Sequence, residues 1–235
     1  MGPSETKAKA VVPKDSASLI IVDHSGKAPK VLMGKRHASH KFMPGKFVFP
    51  GGRVDPSDRK VNIAGPLDPI VEDKLLRFVK SPSPMKARAL ALAAIRETLE
   101  ETGLLIGEKD MGAPPEISGT PWAEFTARDI WPALDRLHFV ARAITPPSLP
   151  KRFDTRFFLV DAEAIAAEMP NIVGPDSELV ELQWVPLNET GDLDMARITG
   201  FILEEAKLRL EAHLSPFMPV PFFRQIRNHY VREEI

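Results

Sequence analysis

From about Met85 to Leu105 the chain is rich in alanine and leucine, with apolar residues recurring at helical spacing. At 100° per residue, Leu92, Ile95 and Leu99 fall within a narrow arc, the stripe that a helix buries against a sheet. Gly103 and Gly107 close the segment. A helix with such a face needs a second layer to cover it, and this requirement limits the possible folds more than any other feature of the sequence. Glu97, Glu100 and Glu101 fall on the opposite arc, where spacings of i, i+3 and i+4 put three carboxylates side by side. Like charges at those separations cost a few tenths of a kcal/mol per pair. A divalent cation would remove that cost; an ordinary solvated acidic face is the other reading of the same residues.

The remaining segments offer strands to complete the layer. Ala17 to Val22 and Lys30 to Arg36 read as two strands joined at Ser25-Gly26, and Phe47, Val48 and Phe49 as a short buried strand entering the glycine turn Gly51-Gly52. Leu137 to Ile144, Arg152 to Asp161 and Leu179 to Val185 read as further strands. Helices are expected over Asp68 to Val79, near Trp122 to Arg128, over Ala162 to Glu168, and from Met195 to His213. Pro219 to Ile235 is too irregular to assign. The element order predicts an α/β (α+β) class, an α/β/α sandwich around a central mixed sheet.

One domain is expected over residues 1–235, with a flexible start at 1–16 and an insertion at 59–84 marked by a polar lead-in and Ser81-Pro82-Ser83-Pro84. The insertion is expected at the acidic end of the sandwich, as a lid or a substrate wall. With 31 Lys/Arg against 32 Asp/Glu, the molecule has no long-range field to recruit nucleic acid or an anionic membrane. No apolar run is long enough for a spanning helix, and Met1 to Lys9 lacks the apolar core of a signal peptide. Neither nucleic acid nor membrane is therefore an expected partner. The absence of cysteine excludes disulfides, thiolate chemistry and Cys-based zinc sites, and fits a reducing cytoplasm. The sequence leaves a homodimer open.

Hard carboxylate oxygens suit Mg2+ or Mn2+. Such an ion acidifies a coordinated water and neutralises charge on a diphosphate as its bond breaks, so phosphoanhydride hydrolysis is the natural reaction. No Asp or Glu occurs from His24 to Val54, whereas Lys27, Lys30, Lys35, Arg36, Lys41, Lys46 and Arg53 do. This local positive segment suits substrate phosphates, though a charged strand edge would look the same. Arg152 and Arg156 would share a strand face, where they would grip substrate or pair with acidic neighbours.

Arg96-Glu97-Thr98-Leu99-Glu100-Glu101-Thr102-Gly103-Leu104 resembles the second half of the Nudix signature, Arg-Glu-U-x-Glu-Glu-x-Gly-U with U aliphatic, except at Thr98. The first half, Gly-x5-Glu, is met by Gly52 and Asp58, an aspartate in the glutamate's place. Residues 59–95 separate the halves where the signature has seven, and the interruption coincides with the insertion. The split box, Phe42-Met43-Pro44-Gly45, Val48-Phe49-Pro50-Gly51-Gly52 and Arg152 to Phe158 together resemble the branch that holds the peroxisomal coenzyme A diphosphatase and its bacterial relatives. The coenzyme A motif of that branch, Leu-Leu-Thr-x-Arg-(Ser/Ala)-x3-Arg-x3-Gly-x3-Phe-Pro-Gly-Gly, is matched in part. Arg36, Gly45 and Phe49 to Gly52 agree, while Lys41, Gly34 and His37 depart from it.

The resemblance implies that Glu97, Glu100 and Glu101 ligate metal with the Gly51 carbonyl, and that Arg96 holds a box carboxylate. Asp58, one methylene short, would do its part less well or through water. Glu178 and Glu181 are the candidates for an accessory acid. Arg36, Lys41, Lys46, Arg53, Arg152 and Arg156 are the candidates for binding a small nucleotide-type substrate. The implied reaction is cleavage of coenzyme A or acyl-coenzyme A to 3′,5′-ADP and a 4′-phosphopantetheine product. An ADP-sugar, dinucleotide or other nucleoside diphosphate derivative is the second substrate class, and a non-catalytic Nudix-fold binding module the reading from another class.

Overall fold

The computed structural model describes residues 11–40, 42–226 and 229–235. Its centre is β1 (Lys14–Asp23), which begins inside the segment expected to be flexible and so brings residues 14–16 into the sheet. β1 runs parallel to β7 (Phe153–Asp161) along its whole length, and its other edge forks. One half pairs with β4 (Gly51–Arg53) and the other with β2 (Lys30–Arg36). β3 (Phe47–Val48) and β9 (Leu179–Pro186) extend the β2 side. On the β7 side, β6 (His138–Ile144), β10 (Pro221–Ile226) and β11 (His229–Glu234) complete a mixed nine-stranded sheet among the described residues. β5 (Leu104–Ile106) and β8 (Ile165–Glu168) form a separate small antiparallel pair.

Strand alternation gives the sheet two apolar faces. Ala17, Leu19 and Ile21 face α2 (Pro84–Thr102), joined by Leu92, Ile95 and Leu99 of that helix. Ile20 and Val22 face α4 (Arg197–Glu211), which contributes Ile202, Leu203 and Ala206. Burying one such aliphatic side chain contributes ~1.5–3 kcal/mol, so the covered stripe fixes α2 firmly on the sheet. Ser83 caps its N-terminus by accepting from the Lys86 N–H at 3.2 Å, and Pro84 sits at the first turn, where no N–H is needed. Gly103 ends the helix at φ +81°, so Leu104 and Leu105 leave it for β5.

The insertion is not a lid. Its helix α1 (Pro69–Leu76) packs beside α2, with Val61, Leu67, Val71 and Leu75 buried in the α2-side core. Lys74 ties it to the far side by donating to the Pro216 and Met218 carbonyls, each at 2.6 Å. Beyond the insertion, α3 (Ala123–Thr126) carries the short helix expected near Trp122. Two segments differ from expectation. Ala162 to Glu168 makes a single 3-10 turn and then strand β8, because the edge of β5 offers it a hydrogen-bonding partner that outweighs alanine's helical preference. The tail becomes a hairpin whose β10 pairs parallel with β6.

Candidate active site

β4 and α2 meet where the sheet forks. Gly51 and Gly52 are required there by space. A side chain at Gly51 would meet Ser18 Oγ at 2.2 Å and the Ala17 carbonyl at 2.6 Å; one at Gly52 would meet the Glu97 carboxyl at 2.3–2.4 Å. The Leu19 N–H donates to the Pro50 carbonyl and the Val54 N–H to the Asp15 carbonyl, which makes Gly51 a position whose own N–H and C=O point away from β1. That N–H donates to Glu101 Oε2 at 2.9 Å, leaving the carbonyl directed to the same side.

Arg96 organises the cluster from beneath. It donates to Asp58 through Nε (2.8 Å) and Nη2 (3.3 Å), to Glu97 and Glu100 through Nη1 (2.9 and 2.8 Å), and to the Arg53 carbonyl (2.7 Å). Asp58 has no solvent exposure. It closes a capping box by accepting the Asp55 N–H at 2.8 Å, and it takes Trp122 Nε1 at 3.3 Å. Direct contact replaces the looser or water-mediated role expected of the shorter carboxylate. With every lone pair committed to a protein donor, Asp58 positions Arg96 and does not itself face the site. Thr98, the other departure from the signature, bonds its hydroxyl to the Ala94 carbonyl at 2.8 Å, so its buried oxygen is satisfied.

Burial pushes the Glu97 carboxyl up to about 6 despite the opposing pull of Arg96, and the charges of Glu100 and Glu178 add to the rise. Burial also raises Glu100. Glu101 lies well above the usual carboxylate range, first through burial and then through the charge of Glu178, with the Gly51 N–H opposing. Among the described residues no three acidic or histidine side chains stand gathered as a ready cation cage. Arg96 holds one oxygen each of Glu97 and Glu100. The other oxygen of each of the three box glutamates takes no protein donor among the described residues. Hard donors, mutual repulsion and an aligned carbonyl fit a divalent ion.

The two accessory acids separate. Glu178 lies close enough to raise Glu97 and Glu101, and it accepts from Arg36 Nη2 at 2.6 Å. Glu181, on β9, accepts from Gln183 and lies outside the cleft. Glu97, Glu101 and Glu178 line the mouth of a cleft of about 980 Å3 that continues across the α4 side of the sheet. Of the expected cations, Arg36 and Arg53 line it. Arg36 is bound to Glu178 and to His40 Nδ1 (3.1 Å), whereas Arg53 has no ion pair among the described residues. Lys46 pairs with Asp194 outside the cleft, and Lys41 lies outside the described residues.

Arg152 and Arg156 require correction as substrate ligands. Arg156 lies on the α2-side face of β7, while Thr155 and Phe157 look into the cleft, and Arg152 precedes the strand. Arg156 is fully buried and pairs with Asp15 (3.0 Å) and Asp154 (3.1 Å). Arg152 donates to the Thr145 and Val11 carbonyls. Lys151 and Arg197, which the sequence reading passed over, do line the cleft. Arg197 had no signal beyond its charge; Lys151 adjoins Arg152 and could have been found from the strand's alternation.

No protein-family model matches the chain. It is 27% identical over 188 residues to nudix hydrolase 7 of Caenorhabditis elegans, covering 76% of this chain and 53% of the relative. It is 24% identical over 201 residues to the acyl-coenzyme A diphosphatase NUDT19 of Xenopus laevis, covering 66% and 52%. The chain thus spans about half the length of these curated relatives. A crystal structure of a NUDIX hydrolase from Alicyclobacillus acidocaldarius matches with a TM-score of 0.61 at 27% identity, covering 85% of this chain and 96% of that one. The fold, both sequence similarities and the arrangement of the box residues around Arg96 agree: the chain has the fold of Nudix hydrolases and is similar to them in sequence.

Proposed function

We propose that this chain is a Mg2+- or Mn2+-dependent hydrolase of a diphosphate bond, with coenzyme A or an acyl-coenzyme A as substrate and 3′,5′-ADP and a 4′-phosphopantetheine as products. The observation that carries the reading is the placement of Glu97 and Glu101, beside Gly51, at the mouth of one large cleft. Glu97, Glu100, Glu101 and the Gly51 carbonyl would hold the ion, with Glu178 beside them. A divalent cation supplies charge neutralisation on the diphosphate and acidifies a water molecule. A box glutamate would accept a proton from the attacking water, while Arg96 holds Glu97 and Glu100 in orientation. Arg53, free of an acidic partner, binds a phosphate oxygen. The partial coenzyme A motif and the similarity to a protein named as an acyl-coenzyme A diphosphatase support this substrate class.

The test is incubation with Mg2+ and coenzyme A, octanoyl-coenzyme A, ADP-ribose, NADH or diadenosine polyphosphates, with products identified by mass. Wild-type protein is expected to release 3′,5′-ADP from the coenzyme A compounds, and Glu101→Gln to lose at least ~10²-fold, as removal of a proton acceptor or ligand does. Cleavage confined to the other compounds would replace the substrate class. No metal-dependent turnover on any of them would make the chain a binding module.

A further inference from the structure

Only one side of β11 is paired among the described residues. The Val220 N–H donates to the Ile235 carbonyl at 3.2 Å and the Ile235 N–H to the Val220 carbonyl at 2.8 Å, and from there β10 and β11 stay in unbroken register to Ile226 opposite His229. Ladder bonding alternates along an antiparallel strand, so His229, Val231 and Glu233 turn their N–H and C=O groups toward β10. Tyr230, Arg232 and Glu234 turn theirs outward, where no strand meets them among the described residues. An edge of this kind is a template for another strand unless it is blunted. At the other end of the sheet β9 is blunted: it ends on Pro186, and its pairing with β2 shifts register between Lys35 and Arg36. β11 has no proline, no glycine and no shift.

The charges of β11 are matched within the chain. Arg232 donates to Glu205 of α4 at 3.0 Å and to Glu234 at 2.9 Å, and Arg224 donates to Glu233 at 2.9 Å. The Glu205 contact also puts Arg232, and with it Tyr230, on the α4 side of the sheet. A second copy related by a two-fold axis normal to the sheet would lay its β11 antiparallel to this one, with residues of the same face opposite each other. An axis through Arg232 or Glu233 opposes like charges, and one through Tyr230 overlaps only His229 to Val231. An axis through Val231 opposes Val231 to itself, Tyr230 to Arg232, and His229 to Glu233. That register joins an apolar pair, a cation beside an aromatic ring, and an imidazole N–H beside a carboxylate. It also sets the outward main-chain groups of Tyr230 opposite those of Arg232, so both couples exchange hydrogen bonds.

We propose that two copies of this chain associate through β11, antiparallel about Val231, so that the sheet runs on from one copy into the other. Tyr230 and Arg232 line the end of the cleft remote from the box, so the partner's Arg232 and the partner's Tyr230 come to stand at that end and the two clefts meet across the seam. The association is independent of the chemistry at the box. A seam of one strand is smaller than the interface of a tight complex, so the dimer forms and dissociates readily in the micromolar range.

Sedimentation equilibrium of the whole chain between about 5 and 500 μM is the test. Wild type should pass from the mass of one chain toward that of two. Tyr230→Pro removes an outward N–H that the single chain does not use, on a residue that is 77% exposed. By symmetry two seam bonds are lost, and the dissociation constant should rise about ten-fold or more. Val231→Lys and Val231→Glu should each stay single, whereas their equimolar mixture should associate, because the axis sets position 231 against itself. That rescue reads the register even if Tyr230→Pro does not fold. A single-chain mass over the whole range, a dimer that Tyr230→Pro leaves as tight, or a mixture that stays unassociated would each overturn the inference.

Discussion

Replacing Asp58 by asparagine isolates the buried support of the acidic cluster. Asp58 receives four donors: Arg96 Nε and Trp122 Nε1 on one oxygen, Arg96 Nη2 and the Asp55 N–H on the other. Asparagine has the same shape but a single carbonyl oxygen, so its amide must point two N–H groups at two donors. Arg96, barely exposed, would keep its charge without its principal partner. Breaking a buried pair by removing one partner costs ~3–5 kcal/mol, and we expect the lower end, ~3 kcal/mol, because the packing is retained and Glu97 and Glu100 remain on Nη1. At about 2–4 °C per kcal/mol for a chain of this length, Tm should fall by roughly 6–12 °C. Urea unfolding followed by tryptophan fluorescence should give the same loss with an unchanged slope. A loss below ~1 kcal/mol would refute the reasoning, since it would mean that Arg96 finds equivalent partners without Asp58.

Gly52→Ala should be mild for stability, within ~1 kcal/mol, because the atoms its Cβ meets are the movable end of Glu97, yet it should weaken Mn2+ binding roughly tenfold, as perturbing the support of a ligand does; calorimetry with Mn2+ checks both, and unchanged affinity would show that Glu97 is not a ligand. Gly103→Ala should cost ~1–3 kcal/mol in urea unfolding, because φ is +81° and the Met169 carbonyl lies 2.5 Å from the new Cβ; a neutral substitution would show that α2 can end elsewhere. The stabilisation conferred by Mg2+ should depend on pH. A carboxyl whose folded pKa is raised loses stability for the fold as pH climbs from its unfolded value through the folded one, so without cation Glu97 disfavours the fold progressively from about 4.5 to about 6, with Glu100 and Glu101 acting in the same sense. A cation binds the ionised forms, so the rise in Tm with Mg2+ should be smaller at pH 5 than at pH 7.5, on the other side of the Glu97 value of about 6; equal rises at the two would show that these carboxylates do not bind it.

Helical periodicity was sufficient to place α2, because its stripe of Leu92, Ile95 and Leu99 meets a flat sheet face and its carboxylates necessarily point elsewhere. Local signals also marked the glycine turn and the insertion. What escaped depends on partners distant in sequence. β10 exists through its parallel pairing with β6, some eighty residues earlier, and no property of residues 221–226 announces that contact. The same limit explains Arg156: a period of two shows which residues share its face, but β7 is covered on both sides, so only the packed sheet decides which face looks into the cleft. Glu178 and Glu181 were equivalent as letters; the turn into β9 alone separates the residue beside Glu101 from the one beside Gln183.

The interruption of the box is tolerable for a reason that can be estimated. Asp58 and Arg96 must meet whatever lies between them, and closing a 37-residue loop instead of a seven-residue one costs about 1.5 kcal/mol more in chain entropy. The inserted residues do not remain a free loop. Val61, Leu67, Val71 and Leu75 enter the α2-side core, and full burial of even one such side chain contributes ~1.5–3 kcal/mol, enough to offset the closure term. Because the insertion packs behind α2 and none of its residues lines the cleft, its length is independent of the cleft. What the insertion must satisfy is the position of its two ends, which the Arg96–Asp58 pair holds at 2.8 Å.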